Sequence, residues 1–184
     1  DLPPVHHTDA NERRLLRQQL NRSLNVVQTT SMGRLFDAVS ALIGVRQMAT
    51  YEAQAAIELE AIAHPTEQAY AMASLPDLFA AIVHDLRSGV SIARIAGRFH
   101  NAVSAYIAET SVELSAQHGL TRVVLSGGVF QNMTLLSHVA HDLRAAGFDV
   151  YTHRCVPAND GGLALGQAFI AALQMVETRP AAFD

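Results

Sequence analysis

The chain has 184 residues and a formal charge of −4 with neutral histidines, and its pI near 6.1 excludes a protein held to nucleic acid by bulk positive charge. Hydrophobic residues make up 49% of it, enough for one domain or two small lobes with a real core, and no apolar run reaches the length that spans a membrane. A single cysteine, Cys155, excludes an internal disulfide framework and a cysteine-only metal site within this chain, and is compatible with a reducing, cytoplasmic compartment.

The first residues, Asp1-Leu2-Pro3-Pro4, have neither the basic start nor the apolar run of a signal peptide, and no Met begins the chain. The expectation is a fragment of a longer polypeptide, with residues 1–8 a linker. Adjacent His6 and His7 fall on different faces of a helix or strand, so they read as a solvated tail rather than a metal pair. Residues 9–25 read as a helix, with Asp9 three residues before Glu12 in capping-box spacing. Leu15, Leu16, Leu20 and Leu24 share one side, and Arg13, Arg14, Arg17 and Arg22 form a solvated face. Thr29-Thr30-Ser31 can cap a helix running to about Ile43, with Met32, Leu35, Phe36, Val39, Leu42 and Ile43 as its apolar stripe and Gly44 as its stop. Asp37 lies beside that stripe. It reads equally as a boundary acid paired with Arg34 and as a carboxylate aimed at a ligand hydroxyl.

Residues 49–60 open a further helix, with Thr50 as its cap and Glu52 in its first turn, where the helix dipole favours a negative charge. Residues 64–74 carry no strong period. Residues 75–86 read as a helix ended by Gly89. Residues 91–117 read as the longest helix, ended by Gly119, with Phe99, Val103, Ile107, Val112 and Leu114 facing the core. His100, in its middle, reads as a hydrogen-bonded interior histidine.

Arg122-Val123-Val124-Leu125 reads as a buried strand, followed by Ser126-Gly127-Gly128 and a helix over 131–146. A strand, a glycine turn and a helix N-terminus leave bare backbone N–H groups facing whatever lies above the strand. Two adjacent glycines let a phosphate approach that backbone without a Cβ in the way. Asn132, in the first turn of the helix, can offer an amide to a phosphate or a ribose. Further along, His138 and His141 have i, i+3 metal spacing with Asp142 beside them; the helix supplies no third ligand on that face, so they read as surface groups. Gly147 ends this helix, and residues 148–153 form a short strand. Val156-Pro157-Ala158-Asn159-Asp160-Gly161-Gly162 then leads into a helix to about residue 176. Asp160 fits either an N-cap or a hard oxygen ligand for a metal ion over phosphates. Two glycine-fronted helix tips favour one nucleotide-phosphate site over two unrelated turns. No nucleophile is evident, and Cys155 reads as structural.

The stretches Thr30-Ser31-Met32-Gly33-Arg34-Leu35-Phe36-Asp37-Ala38-Val39, Tyr51-Glu52-Ala53-Gln54-Ala55-Ala56, Arg98-Phe99-His100-Asn101, Ser126-Gly127-Gly128-Val129-Phe130-Gln131-Asn132 and Val156-Pro157-Ala158-Asn159-Asp160-Gly161-Gly162 come in an order and spacing similar to the C-terminal end of the HypF family of hydrogenase maturation carbamoyltransferases. The resemblance spans about residues 13–172. It implies an α/β fold: residues 9–176 would be the helix-rich second, C-terminal lobe of an actin/Hsp70-like (ASKHA) nucleotide-binding domain, shared with the tRNA threonylcarbamoyl transferases, and residues 177–184 a tail.

The implied chemistry uses carbamoyl phosphate and ATP to form carbamoyl adenylate, with release of phosphate and pyrophosphate. The carbamoyl group then passes to the C-terminal cysteine of a HypE-type acceptor protein, on the route to a hydrogenase cyanide ligand. By this resemblance Ser126, Gly127 and Gly128 would hold nucleotide phosphates, Asp37 would contact the ribose and Asn132 the nucleotide. Asp160 would be one ligand of a divalent metal ion (Mg, Fe or Zn), and the lobe and domains that precede it in the family would complete the site. Neither nucleic acid nor membrane is implied as a partner. Ala53 stands where the family usually has Gly, and residues 64–74 are shorter than in the family. The rival readings keep the fold but serve an O-carbamoyl or tRNA threonylcarbamoyl acceptor, or make the chain a degenerate lobe that only mediates assembly.

Overall fold

The structure of the chain is a computed structural model that describes residues 2–177, so nearly all of the expected tail lies outside the described residues. The helices are α1 (Pro3–His7), α2 (Ala10–Arg22), α3 (Met32–Leu42), α4 (Gln54–Ile62), α5 (Leu75–Arg87), α6 (Ile92–His118), α7 (Met133–Ala145) and α8 (Leu163–Glu177). Two strands, β1 (Arg122–Leu125) and β2 (Asp149–Thr152), pair in parallel. The helix-rich α/β architecture expected from the sequence is what the chain adopts.

Local chemistry sets most boundaries. Asp9 caps α2 through the amides of Asn11 and Glu12, and the Glu12 carboxylate accepts from the Asp9 amide, completing the capping box. Ser31 caps α3, Ser74 caps α5 and Ser91 caps α6, each through the amide three residues on. Gly119 closes α6 at φ 68, a left-handed conformation that glycine adopts at no steric expense.

Several expectations shift. Residues 3–7, read as linker, wind into one helical turn whose Pro3 lies beside Gly44. The fourth helix begins at Gln54, not near residue 50, because Ala53 stands in the left-handed region at φ 60 and interrupts the helical path. Glu52 is therefore outside the helix and exposed. Thr50 does not cap that helix; its amide and hydroxyl donate to the Gln54 side-chain oxygen. The far half of α6 runs past the body of the chain, so Val112 (48% exposed) and Leu114 (47%) do not face the core.

The core gathers where α3, α4, α5 and α7 pack around the first half of α6. Phe36, Val39, Leu59, Leu78, Ile82, Ile95, Phe99, Val103, Leu135, Val139 and Leu143 are fully buried there. Phe36 and Phe99 meet edge to face at 4.8 Å, a favoured geometry for two aromatic quadrupoles. Segment 64–74 lacks periodicity because polar side chains of α6 hold it. Asn101 donates to the carbonyls of Thr66 and Gln68, and Arg98 donates to Gln68 and to Asp85, which also accepts from the Tyr70 phenol at 2.7 Å. The segment crosses α6 at Gly97, where a Cβ would stand 2.1 Å from the His64 carbonyl oxygen.

In the sheet, Val123 pairs with Val150 and Leu125 with Thr152, and this face packs towards the helices. The alternate residues Val124 (67% exposed) and Tyr151 (54%) mark an open face. Along α8, Leu163, Leu165, Phe169, Ile170 and Leu173 are all exposed. The leucines of α2 are exposed too, so the apolar side read from its sequence is not packed on this core.

Candidate functional site

The parallel register ends at the Leu125–Thr152 pair, so both strands release their chains side by side. The first loop runs through Ser126-Gly127-Gly128 into a 3-10 turn, Gly128–Gln131. The second runs from His153 to a shorter 3-10 turn, Asp160–Gly162, at the foot of α8. The Gly127 amide donates to the Ala158 carbonyl at 2.9 Å, and Gly128 lies against the Cβ of Asn159. The two glycine-fronted tips thus converge, as the sequence led one to expect. Gly127 holds φ 103, which L side chains rarely adopt, and a Cβ on Gly162 would approach the Pro157 carbonyl oxygen to 2.8 Å. Both turns therefore depend on glycine.

The structure changes which amides face outward. The α7 helix begins at Met133, two residues later than expected, with the 3-10 turn in front of it. Two amides at its N-terminus are already satisfied within the chain: Leu135 N–H by the Asn132 side-chain oxygen and Thr134 N–H by Glu60, both at 2.8 Å. The amides that open the 3-10 turn, those of Gly128 and Val129, have no acceptor within it and can serve an anion.

Asn132 is the N-cap of α7 rather than a member of its first turn, and it is 8% exposed. Its side-chain amide reaches inward to His100 Nε2 at 3.0 Å. With its oxygen on Leu135, both polar ends of Asn132 are engaged inside the fold. His100 is the hydrogen-bonded interior histidine expected: Nδ1–H donates to the Ala96 carbonyl at 2.8 Å, which leaves Nε2 to accept from Asn132. Burial holds its pKa below the ordinary value, with the His138 charge adding to this and the Ala96 carbonyl and Glu60 opposing it.

Asp37 pairs with Arg34 at 3.0 Å on the surface of α3, the boundary pairing that was one of its two readings. Helix α3 lies against the 3-10 turn, so Asp37 is carried on an element that borders the first loop. Asp160 is exposed, and the capping that was one of its two readings is done by Asn159, whose side-chain oxygen accepts from the Gly161 amide. Its carboxylate is a hard oxygen donor suited to a divalent ion. No group of three or more His, Cys, Asp or Glu is arranged to hold a metal among the described residues. His138 and His141 are exposed surface groups, as read. Cys155, read as structural, is a free thiol at the surface.

The sequence reading missed the partner of Ser126. Its hydroxyl meets His153 Nε2 at 2.8 Å, joining the two loops a second time. The signal was available in principle, because a Leu125–Thr152 pairing puts the next residues side by side. The shallow groove between α7 and β2, lined by Met133, Leu136, Ala140, His141 and Thr152, contains none of the residues of the two glycine loops.

A family model described as a carbamoyltransferase, Kae1-like domain, second subdomain matches residues 2–167. Among curated proteins, the carbamoyltransferase HypF of Synechocystis sp. is 38% identical over 151 residues, covering 76% of this chain and 19% of its own length. A HypF homolog of Cupriavidus necator is 34% identical, with coverage of 88% and 45%. A crystal structure of full-length HypF in a phosphate- and nucleotide-bound form superposes with a TM-score of 0.89 at 37% identity, covering 98% of this chain and 25% of that one. HypF of T. kodakarensis superposes with a TM-score of 0.81 at 27% identity. The chain thus spans about a fifth of the length of the Synechocystis relative.

Proposed function

The chain belongs to the HypF carbamoyltransferase family, as its Kae1-like second subdomain, and from that premise we propose that it forms one side of the nucleotide site of an ATP-dependent carbamoyltransferase. The observation that carries this reading is the contact between the two glycine loops, Gly127 N–H to the Ala158 carbonyl. It sets the opening amides of the 3-10 turn and the Asp160 carboxylate at the same end of the sheet. Ligands of open α/β sheets sit outside the carboxyl ends of the strands, where these loops stand. A relative of the same fold has been solved with phosphate and nucleotide bound.

In this reading the whole enzyme makes carbamoyl adenylate from carbamoyl phosphate and ATP and carbamoylates the C-terminal cysteine of a HypE-type acceptor. Gly127 shapes the loop, and the Gly128 and Val129 amides and the Ser126 hydroxyl face the phosphates. Asp37 would leave its surface partner Arg34 to meet a ribose hydroxyl. The contribution of Asn132 is to anchor the loop to the core through His100, and any direct bond to nucleotide would have to displace one of its two internal bonds. Asp160 would hold a divalent ion together with ligands from the preceding lobe. When bound, that ion supplies charge neutralisation at the phosphates. The work of this chain is electrostatic, from preorganised donors aimed at a polyanion.

In the full-length enzyme, Asp160→Ala should abolish carbamoyl transfer while circular dichroism remains that of the wild type. Unchanged transfer would remove Asp160 from the site. Following label from carbamoyl phosphate identifies the acceptor: label on a sulfur-bearing protein C-terminus supports this reading, whereas label on a hydroxyl substrate or on tRNA supports the sister transferases. An enzyme that binds no ATP analogue would mark a degenerate assembly lobe.

A further inference from the structure

Burial gives no reason for the bond between Ser126 and His153, since both residues are exposed. They leave the sheet as neighbours and close at 2.8 Å just beyond its last pair. A serine hydroxyl has one donor and two acceptor sites, and an ionised phosphate oxygen only accepts. Ser126 can therefore serve a phosphate only with its O–H proton.

We propose that His153 is a positioning residue for the phosphate end of the nucleotide. Its Nε2–H donates to Ser126 Oγ and so turns the Ser126 O–H outward, towards a phosphate oxygen held above Gly127 and Gly128. The other tautomer, in which Nε2 accepts the hydroxyl proton, spends that proton inside the pair. The same bond holds the start of the second loop, which carries Asp160, against the first. This assignment rests on the nucleotide reading of the two loops.

The test is steady-state carbamoyl transfer and ATP binding in the full-length enzyme for Ser126→Ala, His153→Ala, His153→Gln and the double alanine variant. Glutamine places a side-chain N–H near the position of imidazole Nε2. His153→Ala and Ser126→Ala should each raise the KM for ATP about tenfold, more than they lower kcat, and His153→Gln should return it to within about threefold of wild type. The double variant should be no worse than Ser126→Ala, because His153 acts only through the Ser126 hydroxyl. A wild-type KM in His153→Ala, or effects that multiply in the double variant, would overturn the assignment. Should His153→Ala fail to fold, His153→Gln is compared with His153→Asn, whose shorter amide falls short of Ser126; equal KM values then overturn it. A wild-type enzyme without ATP affinity would instead remove the nucleotide reading itself.

Discussion

His100 shows how much one side chain settles. It is buried, neutral and bonded at both ring nitrogens, to Ala96 and Asn132. Because its pKa is lowered from 6.5 in the fold, the unfolded chain takes up a proton before the folded one does. The stability it contributes is present above the unfolded value of 6.5 and is lost as the pH falls from there through the lower folded value. Urea unfolding at pH 7.5 and pH 5.5 should therefore show a lower stability at the lower pH in the wild type, and a smaller difference in His100→Gln. Equal losses in both would mean that His100 is not the titrating group. The interior placement of this histidine was legible in the sequence from its position beside Phe99. Its bond to Asn132 was not, because the two are 32 residues apart and no local pattern joins them. For the same reason Asn132 read as an outward-facing amide. Asp160 was recognised as an acid at a loop tip, but spacing could not show that the neighbouring Asn159 would take over the capping.

Among the elements, those with caps and glycine stops were readable: α2, α3, α5, α6 and the two strands lie within a few residues of their expected bounds. The start of α4 was misplaced because Ala53 takes a left-handed conformation that its side chain does not advertise. Segment 64–74 was illegible because its order comes from α6 side chains, not from its own periodicity. Its crossing of α6 at Gly97 makes a sharp prediction. Gly97→Ala would drive a Cβ to within 2.1 Å of the His64 carbonyl, whose residue is also tied by its amide to Ala93. Backbone cannot yield as a side-chain end can, so the loss should be at least about 2–3 kcal/mol by urea unfolding. Gly33→Ala on α3 serves as the control. Its Cβ would meet only the Ser31 hydroxyl at 3.7 Å, and the better helix propensity of alanine should stabilise the chain by up to about 1 kcal/mol. A Gly97→Ala chain as stable as Gly33→Ala would show that the crossing is loose.

At the scale of the whole molecule, the chain leaves much apolar surface uncovered. Val124 and Tyr151 stand on the open face of the sheet, and Leu163, Phe169, Ile170 and Leu173 along α8. Exposed apolar surface of this extent marks an interaction face, in keeping with a second subdomain that closes on a first. The isolated chain should bind a hydrophobic dye, self-associate in sedimentation runs and hold ATP weakly. Joined to the first subdomain, it should lose most of the dye signal and gain at least about tenfold in ATP affinity, since the second wall of the pocket is then supplied. A monomeric, dye-silent chain with full ATP affinity would contradict this division of the site. The sequence showed the apolar side of α2, yet periodicity alone reports that a face is apolar and not which neighbour covers it.

The seam from the glycine loop through Asn132 to His100 and Phe36 has a practical consequence for anyone mapping this protein by mutation. Lesions far from any ligand, in the aromatic cluster, would tilt the cap that steadies the loop and surface in an activity screen as false members of the active site. Melting curves taken alongside each assay would separate the two kinds of damage, because a defect confined to the loop leaves the melt in place and one in the cluster does not.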